Sequence, residues 1–447
     1  MLRAEDNVAL TSIEPGSLMG DFVRRYWVPI YTSADLPPGG RPERVRVLGE
    51  DLVVFRQPNG EVGLLQARCA HRGAPLTYGR NEEDGLRCVW HGWKYDRHGA
   101  CLEMKNEPPD SNFKFKVRLV SYECRERNGV VWAYLGPGEA PPLPHLEWNE
   151  LPADHVYVSL RVQRTNWFGC IEGEFDSSHA LILHGGINIL ENIASKNVRQ
   201  MVNYRLANPF PRFQAVDSEY GVLIGARYHG DEENDYWRIY PFLMPFHTIV
   251  NVNPAGSGEQ MFSGHAWVPI DNETTLAFGV AWHPNRPLTA TEIGNMKNGL
   301  GFAHGSEHLM PSANSFLPPE NNRPYRHFWP KLDYENDFGI DYEAQQAGVR
   351  FSGIPHLWLQ DYAVATGYGP VNDRSKEHLG SADLGQIAIR RRMLRAARAL
   401  RENGIVPRAV VDPAVFPLRP AQMMLPKGET DWVTPADSRM RGVFVEP

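Results

Sequence analysis

The chain has 447 residues, a net charge of −7 and five cysteines. That length holds two cored domains, while the acidic balance argues against nucleic acid as a general partner, since a phosphate binder needs a basic footprint. Cysteines this few, and odd in number, exclude a disulfide framework and fit a reducing compartment with thiolate metal ligation.

The opening MLRAEDNVALTSIEPG has neither the basic start nor the apolar stretch of a secretory signal. No later run reaches the ~20 apolar residues of a membrane span. A cytoplasmic chain is expected, with neither nucleic acid nor membrane as partner. Residues 41–66 hold short β-branched runs, Val45–Leu48 and Leu52–Phe55, broken by the turn PNGE at 58–61. Further strands are predicted at Lys114–Val120 and Gly129–Leu135, making the first third a small all-β domain. The Pro-rich stretch 136–152 reads as an extended linker. Beyond it, 161–195 are predicted helical around two histidines, 198–285 as successive antiparallel strands, and about Pro355–Arg401 as a helical tail. In that tail Ile389, Met393, Ala397 and Leu400 recur at helical spacing, with arginines on the other, solvated face. No internal repeat is visible.

The strongest motif is Cys69-x-His71, sixteen residues, then Cys88-x-x-His91. Two thiolates and two imidazoles suit either a tetrahedral zinc or a [2Fe–2S] pair. The loops CAHRGAPL (69–76) and CVWHGWKYD (88–96), shaped by Gly73, Pro75 and Gly92, resemble the Rieske ferredoxin fold over roughly residues 40–135. The resemblance implies that the cysteines hold one iron and the histidines the other. Cys101, Cys124 and Cys170 are left as buried, inert thiols. No cysteine stands where the cytochrome-complex Rieske proteins have their loop disulfide, and Trp93 stands where they place a serine that donates to a cluster sulfur. Loss of that donor implies a potential near the low end of the Rieske range, about −150 mV.

Residues 166–184 read NWFGCIEGEFDSSHALILH. The histidine pair His179 and His184 follows three acids, Glu172, Glu174 and Asp176, and its D-x-x-H-x4-H pattern resembles the ring-hydroxylating oxygenases. Two histidines and one carboxylate on one face of an iron leave positions open for oxygen chemistry. The resemblance places the carboxylate on a C-terminal helix. Among Asp361, Asp373 and Asp383, the stretch LQDYAVATGYGP (359–370) favours Asp361, with Asp373 a turn or cap residue. It also gives Asp176 another part, joining a Rieske histidine such as His91 of one subunit to His179 of the next. His304 and His308, at i, i+4, are read as structural.

The segment GPVNDRSKEHLGSADLGQIAIRRRML (369–394) and the opening LTSIEPGSLMGDFVRRYWVPI are similar to the phthalate dioxygenase-like branch of the Rieske non-haem iron oxygenases, alpha subunit. The fold so implied is α+β: residues 1–39 packing on the catalytic domain, a Rieske domain at 40–145, and a helix-grip (START-like) antiparallel-sheet domain at 146–447 carrying the mononuclear iron. A [2Fe–2S] cluster and Fe(II) are the implied cofactors. The implied partners are O2, an aromatic substrate, a flavin/ferredoxin-type reductase, and copies of the same chain as a trimer or hexamer. The expected activity is dioxygenation of an aromatic carboxylate; O-demethylation of a methoxylated aromatic acid is the alternative. An electron carrier is a rival of another class, but about 300 residues after the linker exceed what a carrier needs. A substrate carboxylate calls for arginine, and among Arg205, Arg212, Arg227 and Arg238, read as strand residues, Arg205 and Arg238 are preferred.

Overall fold

The computed structural model describes residues 2–184, 203–208, 210–254, 260–299 and 312–442. In chain order the first ten strands are β1 Trp27–Thr32, β2 Glu43–Val47, β3 Glu50–Arg56, β4 Val62–Gln66, β5 Arg80–Glu82, β6 Gly85–Arg87, β7 Lys94–Tyr95, β8 Cys101–Glu103, β9 Ser121–Arg127 and β10 Val130–Tyr134. They form a six-stranded antiparallel sheet, β1-β10-β9-β4-β3-β2, and a small four-stranded sheet, β5-β6-β7-β8, inserted between β4 and β9. The small sheet has a core of its own, built on Leu76, Leu86, Trp93, Tyr95 and the sulfurs of Cys69 and Cys88.

Eight further strands make the second large sheet: β11 Val156–Gln163, β12 Arg212–Asp217, β13 Gly221–His229, β14 Asn234–Leu243, β15 His247–Pro254, β16 Gln260–Pro269, β17 Thr275–Trp282 and β18 Ala421–Pro426. Their order is β11-β17-β16-β15-β14-β13-β12, with β18 paired to β14. β17, TLAFGVAW, is buried along its whole length, the unbroken apolar run of a central strand covered on both faces. The helix Trp167–Phe175 packs against β15 and β16, and the helices Leu357–Gly367 and Leu384–Asn403 complete the layer. The N-terminal helices Ala4–Thr11 and Leu18–Val23 pack on Leu384–Asn403, pinned by an Asp6–Arg398 ion pair, while β1, which also precedes residue 40, joins the six-stranded sheet beside β10.

Four sequence expectations need correction. Lys114–Val120 is not a strand: Phe113–Lys116 is a 3-10 turn, Phe113 and Phe115 face solvent, and the segment makes only an isolated bridge, Ala100 with Arg118. Arg161–Gln163 belong to β11 rather than to a helix, because the alternating VYVSLRVQ pairs with β17 along its full length. The helix starts only after Asn166, whose side chain caps it by accepting from the Phe168 amide at 3.1 Å. The stretch 136–152 is no loose linker, since Leu143, Leu146, Trp148 and Leu151 are buried and buried Glu147 accepts from Trp282 Nε1 at 3.0 Å. The C-terminal tail is two helices, because Gly369, at φ +82°, and Pro370 interrupt it. Residues 185–195 of the predicted first helical region lie outside the described residues.

Candidate metal centres and active site

Two loops of the small sheet meet at its tip. In the first, the Gly73 amide donates to Cys69 O and the Cys69 amide to Ala74 O, both at 2.9 Å. The second mirrors it: Gly92 donates to Cys88 O at 3.1 Å and Cys88 to Trp93 O at 2.8 Å. Gly73 and Gly92 have φ of +73° and +74°, the left-handed conformation each tight turn needs. The result sets the Nδ1 atoms of His71 and His91 3.1 Å apart, with Cys69 and Cys88 buried alongside. Burial, and Cys69 beside it, raise the Cys88 thiol pKa, so thiolates there require cationic iron. This S2N2 set fits a [2Fe–2S] cluster with the imidazoles on one iron. Trp93 stacks on His71 with centroids 4.5 Å apart.

One cluster contact was missed in the sequence. Tyr95 Oη lies 3.2 Å from Cys69 Sγ, so a hydroxyl reaches a cluster cysteine although the serine is gone. Of the spare cysteines, Cys101 and Cys170 are buried and Cys124 is half-buried, and desolvation pushes the thiols of Cys101 up to about 11 and of Cys124 and Cys170 to about 12.

The second centre lies where the helix Trp167–Phe175 ends. His179 Nε2 and His184 Nε2 converge on Asp361 Oδ1, at 3.3 and 3.4 Å, and the three residues form a group able to hold a metal ion. Asp361 keeps 43% of its side-chain surface accessible, so the triad is open on one side, as a catalytic iron needs. Burial works against charge on Asp361, but His184, His179 and Arg161 hold its pKa below the ordinary range. Burial likewise opposes a proton on His179, yet carboxylates at both ring nitrogens push its pKa up to about 10. Two imidazole nitrogens and a carboxylate oxygen, all within 4.8 Å of one another, make a donor set that fits iron. His184, by contrast, is lowered by burial, with His179 and Arg205 adding to the effect. Its Nδ1 lies 2.6 Å from Gln360 Oε1, a partner that sequence spacing does not reveal.

Asp176 sits at the end of the helix. Its Oδ1 accepts from the Ser178 amide at 2.9 Å, and its Oδ2 lies 3.6 Å from His179 Nδ1. Burial raises its pKa, but the His179 and Ser178 contacts outweigh that and bring it to about 2. The other two acids of the run point elsewhere. Glu172 binds Arg374 and Arg390, while Glu174 accepts from Trp267 Nε1 at 2.8 Å and lies 2.9 Å from His265 Nδ1. Asp373 caps the turn Arg374–Lys376, and Asp383 accepts from the Gly380 amide. His304 and His308 lie outside the described residues.

Of the arginines, Arg212 is exposed on edge strand β12, and Arg227 stacks on Trp237 with its centre 5.8 Å from the ring. Arg205 is not a strand residue but lies in the helical turn 203–207. It is nonetheless drawn close to Arg238: burial and Arg238 lower its pKa. Burial also opposes charge on Arg238, but the hydroxyls of Tyr240, Tyr228 and Tyr236 outweigh it.

The Rieske [2Fe-2S] domain family matches residues 26–123, and the LigXa C-terminal domain like family residues 319–441. The 3-chlorobenzoate-3,4-dioxygenase oxygenase subunit of Comamonas testosteroni is 35% identical over 99% of this chain and 100% of its own length. The chain belongs to the Rieske non-haem iron oxygenases. The phthalate 4,5-dioxygenase oxygenase subunit of Pseudomonas putida is 34% identical over 89% of this chain and 87% of its own. The 5,5'-dehydrodivanillate O-demethylase oxygenase subunit of Sphingobium sp. is 30% identical over 93% and 85%. Among solved structures, Pseudomonas putida CBB5 NdmA shares the fold with a TM-score of 0.55 at 20% identity, over 90% of this chain and 98% of that one. As a Rieske oxygenase subunit the chain carries a [2Fe–2S] cluster and a mononuclear non-haem iron, which removes the zinc and electron-carrier readings. Among the described residues no helix is long and apolar enough to cross a membrane.

Proposed function

We propose that this oxygenase subunit acts on an aromatic carboxylate. Cys69, Cys88, His71 and His91 hold the cluster, and His179, His184 and Asp361 hold the mononuclear iron, in a catalytic unit spanning 146–447 beside a Rieske unit at 40–145 and an N-terminal segment, 1–39. The carrying observation is the pair of half-buried arginines, Arg205 and Arg238, whose charges act on one another in the domain of the iron triad. The groups acting on them include one another and the hydroxyls of tyrosines 228, 236 and 240. Arg205 Nε has no hydrogen-bond partner among the described residues. The buried Nε of Arg205 calls for an acceptor, and a ring carboxylate supplies it. Two of the relatives are named for aromatic acids, 3-chlorobenzoate and phthalate.

The bound iron supplies activation of O2, with electrons arriving from NAD(P)H through a flavin/ferredoxin-type reductase. The rest belongs to the chain's own side chains. Arg205 and Arg238 hold the carboxylate and so turn the ring towards the open side of the triad. Asp176 Oδ2 faces His179 Nδ1 at 3.6 Å and orients that ring by its charge, and in a trimer or pair of trimers its carboxylate accepts from His91 of a neighbouring copy, shortening the electron path. The setting is cytoplasmic.

Turnover with labelled oxygen over a panel of benzoates, phthalates, methoxybenzoates and matching neutral arenes tests the reading. The acids are expected to turn over and the neutral arenes to fail. Arg205→Met and Arg238→Met are expected to raise KM for the acids by about tenfold to a hundredfold each, the loss of one charge-assisted contact. Equal turnover of neutral arenes, or unchanged KM in both variants, would refute it. Two labelled atoms in the product mark dioxygenation; formaldehyde release from a methoxy acid marks O-demethylation instead.

A further inference from the structure

The geometry points to Gln360 as the residue that fixes the tautomer and aim of His184, and so how tightly the mononuclear site takes iron. The inference rests on His184 being an iron ligand, as proposed above.

Gln360 Nε2 donates to Ile354 O at 2.9 Å, and a carbonyl can only accept, so the amide's orientation is fixed. Its oxygen therefore faces His184 Nδ1, at 2.6 Å. An amide oxygen also only accepts, so Nδ1 carries the hydrogen, and the lone pair of the neutral ring lies on Nε2. That is the nitrogen 3.4 Å from Asp361 Oδ1. Gln360 is fully buried, so water does not compete for either contact.

Gln360 and Asp361 are neighbours on the helix Leu357–Gly367. One rigid element thus presents both the carboxylate of the triad and the acceptor that aims its second histidine. The two histidines are held differently: His179 has the half-buried carboxylate of Asp176 at its Nδ1, whereas His184 has a neutral amide. The neutral partner orients the ring without adding a buried negative charge beside the iron.

The test uses the full chain with its cluster retained and the mononuclear iron removed by chelation, titrated anaerobically with Fe(II). Gln360→Met keeps the volume but loses the acceptor. It is expected to weaken Fe(II) binding roughly tenfold to a hundredfold, with the cluster's visible spectrum and the melting temperature unchanged. Gln360→Glu, which keeps an acceptor, is expected to return affinity towards wild type. Wild-type affinity in Gln360→Met, or equal weakness in Gln360→Glu, would overturn the inference. His184→Ala separates it from the reading beneath: normal Fe(II) binding there refutes the ligand assignment, whereas its loss beside a normal Gln360→Met refutes only the role of Gln360. Histidine ring nitrogen resonances of the iron-depleted wild-type protein supply a measurement free of mutation. His184 is expected to be protonated at Nδ1, and a ring protonated at Nε2 would overturn the inference whatever the variants do.

Discussion

The triad shows how much chemistry a handful of side chains carries. The polar partners of Asp176 among the described residues are Ser178 and His179, so replacing it with asparagine should spare metal binding. Asp176→Asn keeps the side-chain shape and its turn-forming oxygen but loses the charge facing Nδ1. We expect the two cluster irons and the mononuclear iron all to remain in metal analysis, while turnover falls by roughly a hundredfold; normal rates would remove the bridging role. Tyr95 makes a second prediction at this scale. Its hydroxyl, directed at Cys69 Sγ at 3.2 Å, stabilises the more negative, reduced cluster. Tyr95→Phe should therefore lower the cluster potential, measured by redox titration of the visible spectrum, and an unchanged or raised potential would contradict this. The candidate ligands of both centres were marked in the sequence by motif, and the fold brings His71 to His91 and His179 and His184 to Asp361. Tyr95 and Gln360 were not so marked. A tyrosine or glutamine beside a motif is common, and the sulfur or ring it serves is brought to it only by the fold: Gln360 meets His184 across 176 positions of chain.

Among secondary elements, the helix Trp167–Phe175 matters most, because it delivers the chain to Asp176 and His179. Its far side is clamped. Glu172 accepts from Arg374 Nη2 at 2.6 Å and also from Arg390, which in turn reaches Glu377 at 2.6 Å. Arg374 is fully buried, so its charge depends on that carboxylate. Removing one partner of a buried pair costs about 3–5 kcal/mol, the strain of a charge left uncompensated. Glu172→Gln should lower the urea midpoint accordingly at pH 7. The sign with pH follows: burial raises the Glu172 pKa, but Arg374 and Arg390 more than offset it and hold it below its ordinary value. The stability it contributes is present above about pH 4.3 and is lost as pH falls below that. The gap between wild type and variant should therefore narrow on acidification, and a gap constant from pH 7 to 3 would be inconsistent with the clamp. Reading Glu172, Glu174 and Asp176 as one acidic run overstated their kinship. Successive helical positions face different ways, and only Asp176, at the helix end, turns to the iron site. The strand β11 was misread for a related reason: its last residues run directly into the helix, and only the cap at Asn166 marks the change of period.

At the scale of the whole molecule the two large sheets share one core. Trp132 of β10 stacks on Trp148 of the stretch 136–152, centroids 6.0 Å apart, and lies 6.1 Å from the ring of His247 on β15. The Pro-rich stretch looked like a linker because its composition is that of one, yet its apolar residues are spent on this joint. A histidine in such a place is a liability in acid. Burial pushes the His247 pKa down to about 3, against about 6.5 in an unfolded chain. The neutral ring is thus favoured in the fold, and the stability this represents is intact above about pH 6.5 and declines as pH falls towards 3. By pH 5 the loss amounts to about 2 kcal/mol. Since the ring belongs to the catalytic sheet and its neighbour Trp132 to the Rieske sheet, the loss should loosen both together. Far-UV circular dichroism and the visible circular dichroism of the cluster are expected to melt at the same temperature, and that temperature to drop between pH 7 and 5. His247→Phe keeps an aromatic ring in the joint and removes the titration, so the part of the drop due to His247 should vanish in it. A variant that lost as much stability as wild type over the same interval would show that the acid sensitivity lies elsewhere, and separate melting of the two signals would show that the sheets do not stand or fall at this joint.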